Sequence, residues 1–106
     1  MLIVTTDNIQ GKQIEEYLGL VAGQAVYGAN FLRDFFAGIT DVIGGRSGGY
    51  ESVLMDGASA AIKDMEGYAE ELGANAIIGV SVDYEAMGSD NSMLMVSVTG
   101  TAVRIV

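Results

Sequence analysis

The chain has 106 residues, half of them apolar, with 14 acidic and five basic side chains, a formal net charge of −9, and no cysteine, histidine or proline. This length predicts one domain spanning residues 1–106, large enough to build a core without covalent staples. Without cysteine or histidine there are no disulfides, no thiolate nucleophile, no thiolate or imidazole metal ligand and no imidazole general base. The acidic balance, with no Lys/Arg cluster to offset it, repels phosphate backbones and excludes nucleic acid as an expected partner.

The opening "MLIVTTDNIQGK" has neither the basic start nor the long apolar stretch of a secretory signal. Charges and glycines interrupt every apolar run before membrane-spanning length, so a cytoplasmic chain without a membrane partner is expected. Leu2 to Thr5 reads as a short strand ending at "TTDN", where Asp7 and Asn8 suit a turn. Ile14 to Tyr27 reads as a long strand, with Ile14, Leu18, Leu20, Ala22 and Val26 on one face and Tyr17, Val21, Ala25 and Tyr27 on the other. Both faces are apolar.

The spacing then becomes helical. In "NFLRDFFAGITDVIGG", Leu32, Phe36, Ile39 and Val42 or Ile43 recur at three- and four-residue intervals, with Asn30 as the N-cap and Gly44 and Gly45 as the stop. A second apolar stripe runs through Leu54, Ala58, Ala61, Met65, Tyr68 or Ala69 and Leu72, and Gly73 is its end signal. "ANAIIGVSVDYEAM" alternates as a strand, with Ile78, Val80, Val82 and Tyr84 opposite Ile77, Gly79, Ser81, Asp83 and Glu85. "GSDNS" turns the chain into a final strand whose Leu94, Val96, Val98, Ala102 and Val106 face the core, completing a hairpin.

The element order β-β-α-α-β-β predicts a two-layer α+β domain: an antiparallel sheet with two helices on one face. The apolar character of both faces of the long strand and of the last one exceeds what a sheet with a wet back carries, so a second copy of the chain is expected against it.

Three groups of residues carry candidate chemistry. In "GGRSGGYE", Arg46 with the hydroxyls of Ser47 and Tyr50, the neighbouring Glu51 and the first N–H groups of the second helix would suit a small anionic ligand. The competing reading is that the glycines only turn the chain and Arg46 pairs with a carboxylate such as Glu51, within the subunit or across a boundary. The stretch fits neither a phosphate-binding P-loop nor a dinucleotide fingerprint.

Asp83 and Glu85 share a strand face and are the candidate oxygen ligands for a divalent cation, although a solvated strand face explains them without one. Of the six methionines, Met93 and Met95 share a strand face while Met55, Met65 and Met87 are scattered along the chain, a distribution that reads as core and interface filler. No cofactor is expected apart from that possible divalent metal.

The segments "GGRSGGYE" and "LGANAIIGVSVDYE", with the early Thr5–Thr6 pair and the stretch from Tyr17 to Glu51, resemble the YbjQ family over nearly the whole chain. The resemblance implies a dodecin-like α+β subunit assembling as a ring-shaped homopentamer, with stacking of rings into decamers left open. It implies no activity, and the heavy-metal-binding label that the family carries finds little support in a chain without cysteine or histidine. The expectation is a homo-oligomeric module with no catalytic residue, holding a small ligand or ion at subunit boundaries. The alternatives are an enzyme or binder acting on an anionic small molecule through the GGRSGGYE loop, and divalent metal binding through carboxylates.

Overall fold

The computed structural model describes residues 1–37, 48–89 and 92–106. It contains β1 (Leu2–Ile3), β2 (Ile14–Tyr27), α1 (Ala29–Ala37), α2 (Gly48–Glu71), β3 (Ala76–Met87) and β4 (Met93–Ile105), in the predicted element order. The expected continuation of the first helix through Ile39 and Val42 to Gly44 lies outside the described residues.

The four strands form one sheet in the order β1-β3-β4-β2. β4 runs antiparallel to both β2 and β3, whereas β1 pairs parallel to β3 through Leu2↔Ala76 and Ile3↔Ile77. The sheet is therefore mixed, which corrects the antiparallel expectation. The physical reason is that β1 and β2 are not a hairpin: the chain leaves β1 at one edge of the sheet and enters β2 at the other. Val4, Ile9 and Ile14 pack on Ala76, Ile78 and Val103 along this route, forming a small second core on the back of the sheet.

The main core lies between the front of the sheet and α2. Val53, Gly57, Ala61, Met65 and Ala69, every fourth residue of α2, are buried. An i±4 row is one of the ridges by which a helix packs. Ala61, Met65 and Ala69 were predicted there; Val53 and Gly57 replace the predicted Leu54 and Ala58 at its centre, and Tyr68 and Leu72 are exposed. The small residues let α2 approach closely. A Cβ on Gly23 of β2 would collide with the carbonyl oxygen of Ala61 and lie 2.5 Å from the Met65 nitrogen, and one on Gly57 would lie 2.7 Å from Val96 Cγ2.

α1 lies against α2, with Leu32 reaching the main core and the Phe31 ring stacked on Tyr27 at 5.3 Å. Asn30 falls within its first turn rather than at the N-cap, and its Oδ1 accepts a bond from Arg33 at 3.1 Å.

Two irregularities change which side chains face the core. In β3 the register shifts between Ile78 and Ser81, around Gly79 at φ +61. Such a bulge inserts a residue and reverses the alternation, and positive φ is the conformation glycine adopts without strain. Ile77, Val80 and Val82 consequently face the main core, while Ile78 turns to the back. The predicted grouping of Ile78 with Val80 is thereby corrected. In β2 the register shifts between Tyr17 and Gly19. Leu18 and Val21, Ala25 and Tyr27 pack on the main core, whereas Leu20, Ala22 and Val26 are exposed. On β4, Leu94, Val96, Val98 and Ala102 are buried as predicted, and Val106 is exposed.

Candidate functional site

The first half of the GGRSGGYE segment, with Arg46 and Ser47, lies outside the described residues. Its second half is helix: Gly48 begins α2, Tyr50 is the third residue, and Glu51 is exposed in the first turn. A carboxylate there faces the positive end of the helix dipole, which stabilises the helix start without any ligand.

Asp83 and Glu85 are exposed on β3, with Ser97 and Met95 as their register partners on β4. Because paired residues share a face and Leu94, Val96 and Val98 point to the core, both carboxylates lie on the back of the sheet. Among the described residues, no three His, Cys, Asp or Glu side chains come together as a metal site. The described residues thus give Asp83 and Glu85 no third carboxylate, and a hard cation needs several converging oxygens.

The second family segment, "LGANAIIGVSVDYE", has a dense set of structural duties. Gly73 adopts φ +85 after α2. The N–H of Gly73 donates to the Glu70 carbonyl at 3.0 Å and that of Ala74 to Ala69 at 3.1 Å, the paired bonds of a Schellman stop. The Asn75 amide then joins the edge of β4: its Nδ2 donates to the Ile105 carbonyl at 2.9 Å and its Oδ1 accepts from the Ile105 nitrogen at 2.7 Å. Arg104 Nη1 donates to the Gly73 carbonyl at 2.7 Å. Gly73, Asn75 and Gly79 therefore shape the passage from helix to strand, and no ligand is needed to explain them. Of these, only the stop at Gly73 was legible from its position.

The hairpin register creates a grouping that sequence spacing hid. Met87 pairs directly with Met93, and Glu85 pairs with Met95. Met93 and Met95 alternate with the buried Leu94 and Val96, so Met87, Met93 and Met95 all lie on the back face at one end of the sheet. Met65, by contrast, is fully buried under α2. Met87 is therefore not scattered, as linear spacing suggested, but the cross-strand neighbour of a Met-x-Met pair.

The family model YbjQ_1, described as "Putative heavy-metal-binding", matches residues 1–106. The chain belongs to the YbjQ family. It is 57% identical over 105 residues to a UPF0145 protein of Actinobacillus pleuropneumoniae serotype 5b, covering 99% of each chain. It is 56% identical to a UPF0145 protein of Geobacillus kaustophilus, over 99% of this chain and 98% of that one. A crystal structure of a protein of unknown function from Pediococcus pentosaceus, assigned to the DUF74 family, matches with a TM-score of 0.59 at 18% identity, covering 100% of this chain and 98% of that one. That likeness supports the fold alone. For this YbjQ chain, the described residues include no helix long and apolar enough to cross a membrane.

Proposed function

We propose that this YbjQ-family chain is a non-enzymatic, cytoplasmic homo-oligomeric module, a ring of five copies joined through the β2 edge, which holds a small ligand or ion at subunit boundaries. One observation carries the reading. β2 is a 14-residue strand at the edge of the sheet, and Tyr17, Leu20 and Val26 on it are 68%, 76% and 52% exposed. A long apolar edge strand templates further pairing unless something covers it.

The size of the exposed surface favours another copy as the cover. The subunit exposes 6648 Å², whereas a self-sufficient monomer of 11.1 kDa is expected to expose about 5,700 Å². The difference, roughly 1,000 Å², is of the order that one partner contributes to a stable protein interface. The radius of gyration is 16.8 Å, against about 13 Å for a compact domain of this length. Head-to-tail contacts that close into a ring would cover such an edge without leaving a new one.

Native mass spectrometry and light scattering at micromolar protein test the proposal. A species of five chain masses is expected. A stable monomer refutes self-association, and a different closed number refutes the pentamer alone.

A further inference from the structure

We propose that Met87, Met93 and Met95 form a thioether site for a soft monovalent cation, Cu(I) or its redox-inert analogue Ag(I). The three residues belong to the β3–β4 hairpin, and Met95 lies beside Val26 of β2 across the β2–β4 pair. The site gives the family's metal label a specific donor set in this chain, one that neither Asp83 nor Glu85 supplies.

The geometry starts from register. Met87 and Met93 are directly opposite each other across the antiparallel pair, which sets their Cβ atoms about 5 Å apart. Met93 and Met95 are two residues apart on one strand, a separation of roughly 7 Å along it. A methionine side chain has three rotatable bonds and a polarizable sulfur. Three such chains from adjacent positions on one face reach a common point above the sheet.

Gly88 follows Met87 at φ +91, and a Cβ there would lie 3.3 Å from Ser92 Oγ, 3.5 Å from Met93 Cγ and 3.7 Å from Met93 Sδ, so the Met93 side chain lies close to the backbone that follows Met87. Met87 is 38% exposed, and Met93 and Met95 are only half-buried, so an ion has access to them.

The donor chemistry selects the ion. Thioethers are soft and neutral; they favour Cu(I) and Ag(I) over Mg²⁺, Ca²⁺ or Zn²⁺. Neither thiolate nor imidazole exists anywhere in the chain to compete for a soft metal. Glu85 on the same face, opposite Met95, and Asp83 two residues further along add negative charge nearby, and a net charge of −9 raises the local concentration of cations. Simple packing predicts none of this selectivity, since leucine fills such positions equally well.

The test therefore replaces sulfur while keeping volume. Ag(I) is titrated calorimetrically into wild type, the triple variant M87L/M93L/M95L and Met55→Leu, in chloride-free buffer, with native mass spectrometry of each. Cu(I) binding is measured anaerobically by competition with bicinchoninate. Wild type and Met55→Leu should hold one Ag(I) per chain, and the triple variant should bind about tenfold or more weakly, with oligomer mass unchanged.

A triple variant that binds like wild type overturns the proposal, as does a wild type that binds no Ag(I). Should the triple variant fail to fold, peroxide oxidation of wild type with and without Ag(I) decides. Peptide mass spectrometry should then show Met87, Met93 and Met95 protected by the ion while Met55, 70% exposed on α2, oxidises at the same rate. Equal oxidation of all four with and without the ion refutes the site.

Discussion

The Asp64 carboxylate on α2 accepts the backbone N–H of Gln24 on β2, Oδ2 to N at 3.1 Å. Since β2 is an edge strand, this bond satisfies an edge donor that β4 does not reach, and it ties the helix to the rim of the sheet. Asp64→Ala should lower stability by about 1 kcal/mol, the ordinary net worth of such a bond. Asp64→Asn, whose Oδ1 still accepts, should stay close to wild type. Urea unfolding midpoints, at one fixed protein concentration, separate the two. Equal loss in both variants would mean that the charge rather than the bond matters.

One turn away, the same helix–strand contact is closed by Gly23. A methyl at this position meets the Ala61 carbonyl and the Met65 nitrogen, which are helix backbone and yield only if α2 lifts from the sheet. Gly23→Ala should therefore cost about 3 kcal/mol or more. Gly67 is the matched control: it lies in α2 and a Cβ there meets nothing within 4 Å. Gly67→Ala should stabilise by up to about 1 kcal/mol through helix propensity alone. Thermal melts showing the two substitutions shifting in the same direction would refute the close-approach account.

These contacts mark where sequence reading works and where it stops. The bounds of β2 and the order of all six elements follow from apolar density and periodicity. The face shared by residues on the two sides of Gly19 in β2, and of Gly79 in β3, does not, so that periodicity groups Leu18 with Leu20 and Ile78 with Val80, because each bulge reverses the alternation and a bulge leaves no periodic trace. The parallel pairing of β1 was not legible, because a two-residue strand carries no signal for the direction of pairing. The role of Asn75 was not legible, since its partner Ile105 is 30 positions away. Met87 and Met93 became neighbours only once the hairpin register was known. At the candidate sites, the chemistry of Asp83 and Glu85 was legible, but that no third carboxylate converges on them among the described residues was a matter of tertiary placement.

The Asn75 clamp makes its own prediction. Its amide exchanges two bonds with the backbone of Ile105, substituting for a strand residue at the point where β3 begins. Asn75→Ala removes both and should destabilise by about 2 kcal/mol. Asn75→Asp keeps the acceptor for the Ile105 N–H but sets a carboxylate oxygen against the Ile105 carbonyl, so it should not recover wild-type stability. Hydrogen exchange at the Ile105 amide, measured by NMR, should accelerate in Asn75→Ala, while that of Val98 in the core should track only the global loss. Unchanged protection at Ile105 would show that the clamp is incidental.

The surface of β2 supplies the decisive substitution for assembly. Leu20 is 76% exposed in the subunit, and it is opposite Thr101 on the face away from α2. In an isolated subunit Leu20→Glu costs little, within about 0.5 kcal/mol, because its side chain already meets water. In a ring, the same change sets an unpaired carboxylate at every boundary of a chain already at −9, and burying a charge without a partner is strongly unfavourable. The variant should retain the far-ultraviolet circular dichroism of wild type while its mass falls toward that of one chain. Its melting temperature should also lose any dependence on protein concentration, since folding is no longer coupled to association. Wild-type mass in Leu20→Glu would remove β2 from the interface, and loss of secondary structure would show that the edge strand cannot fold without its neighbour.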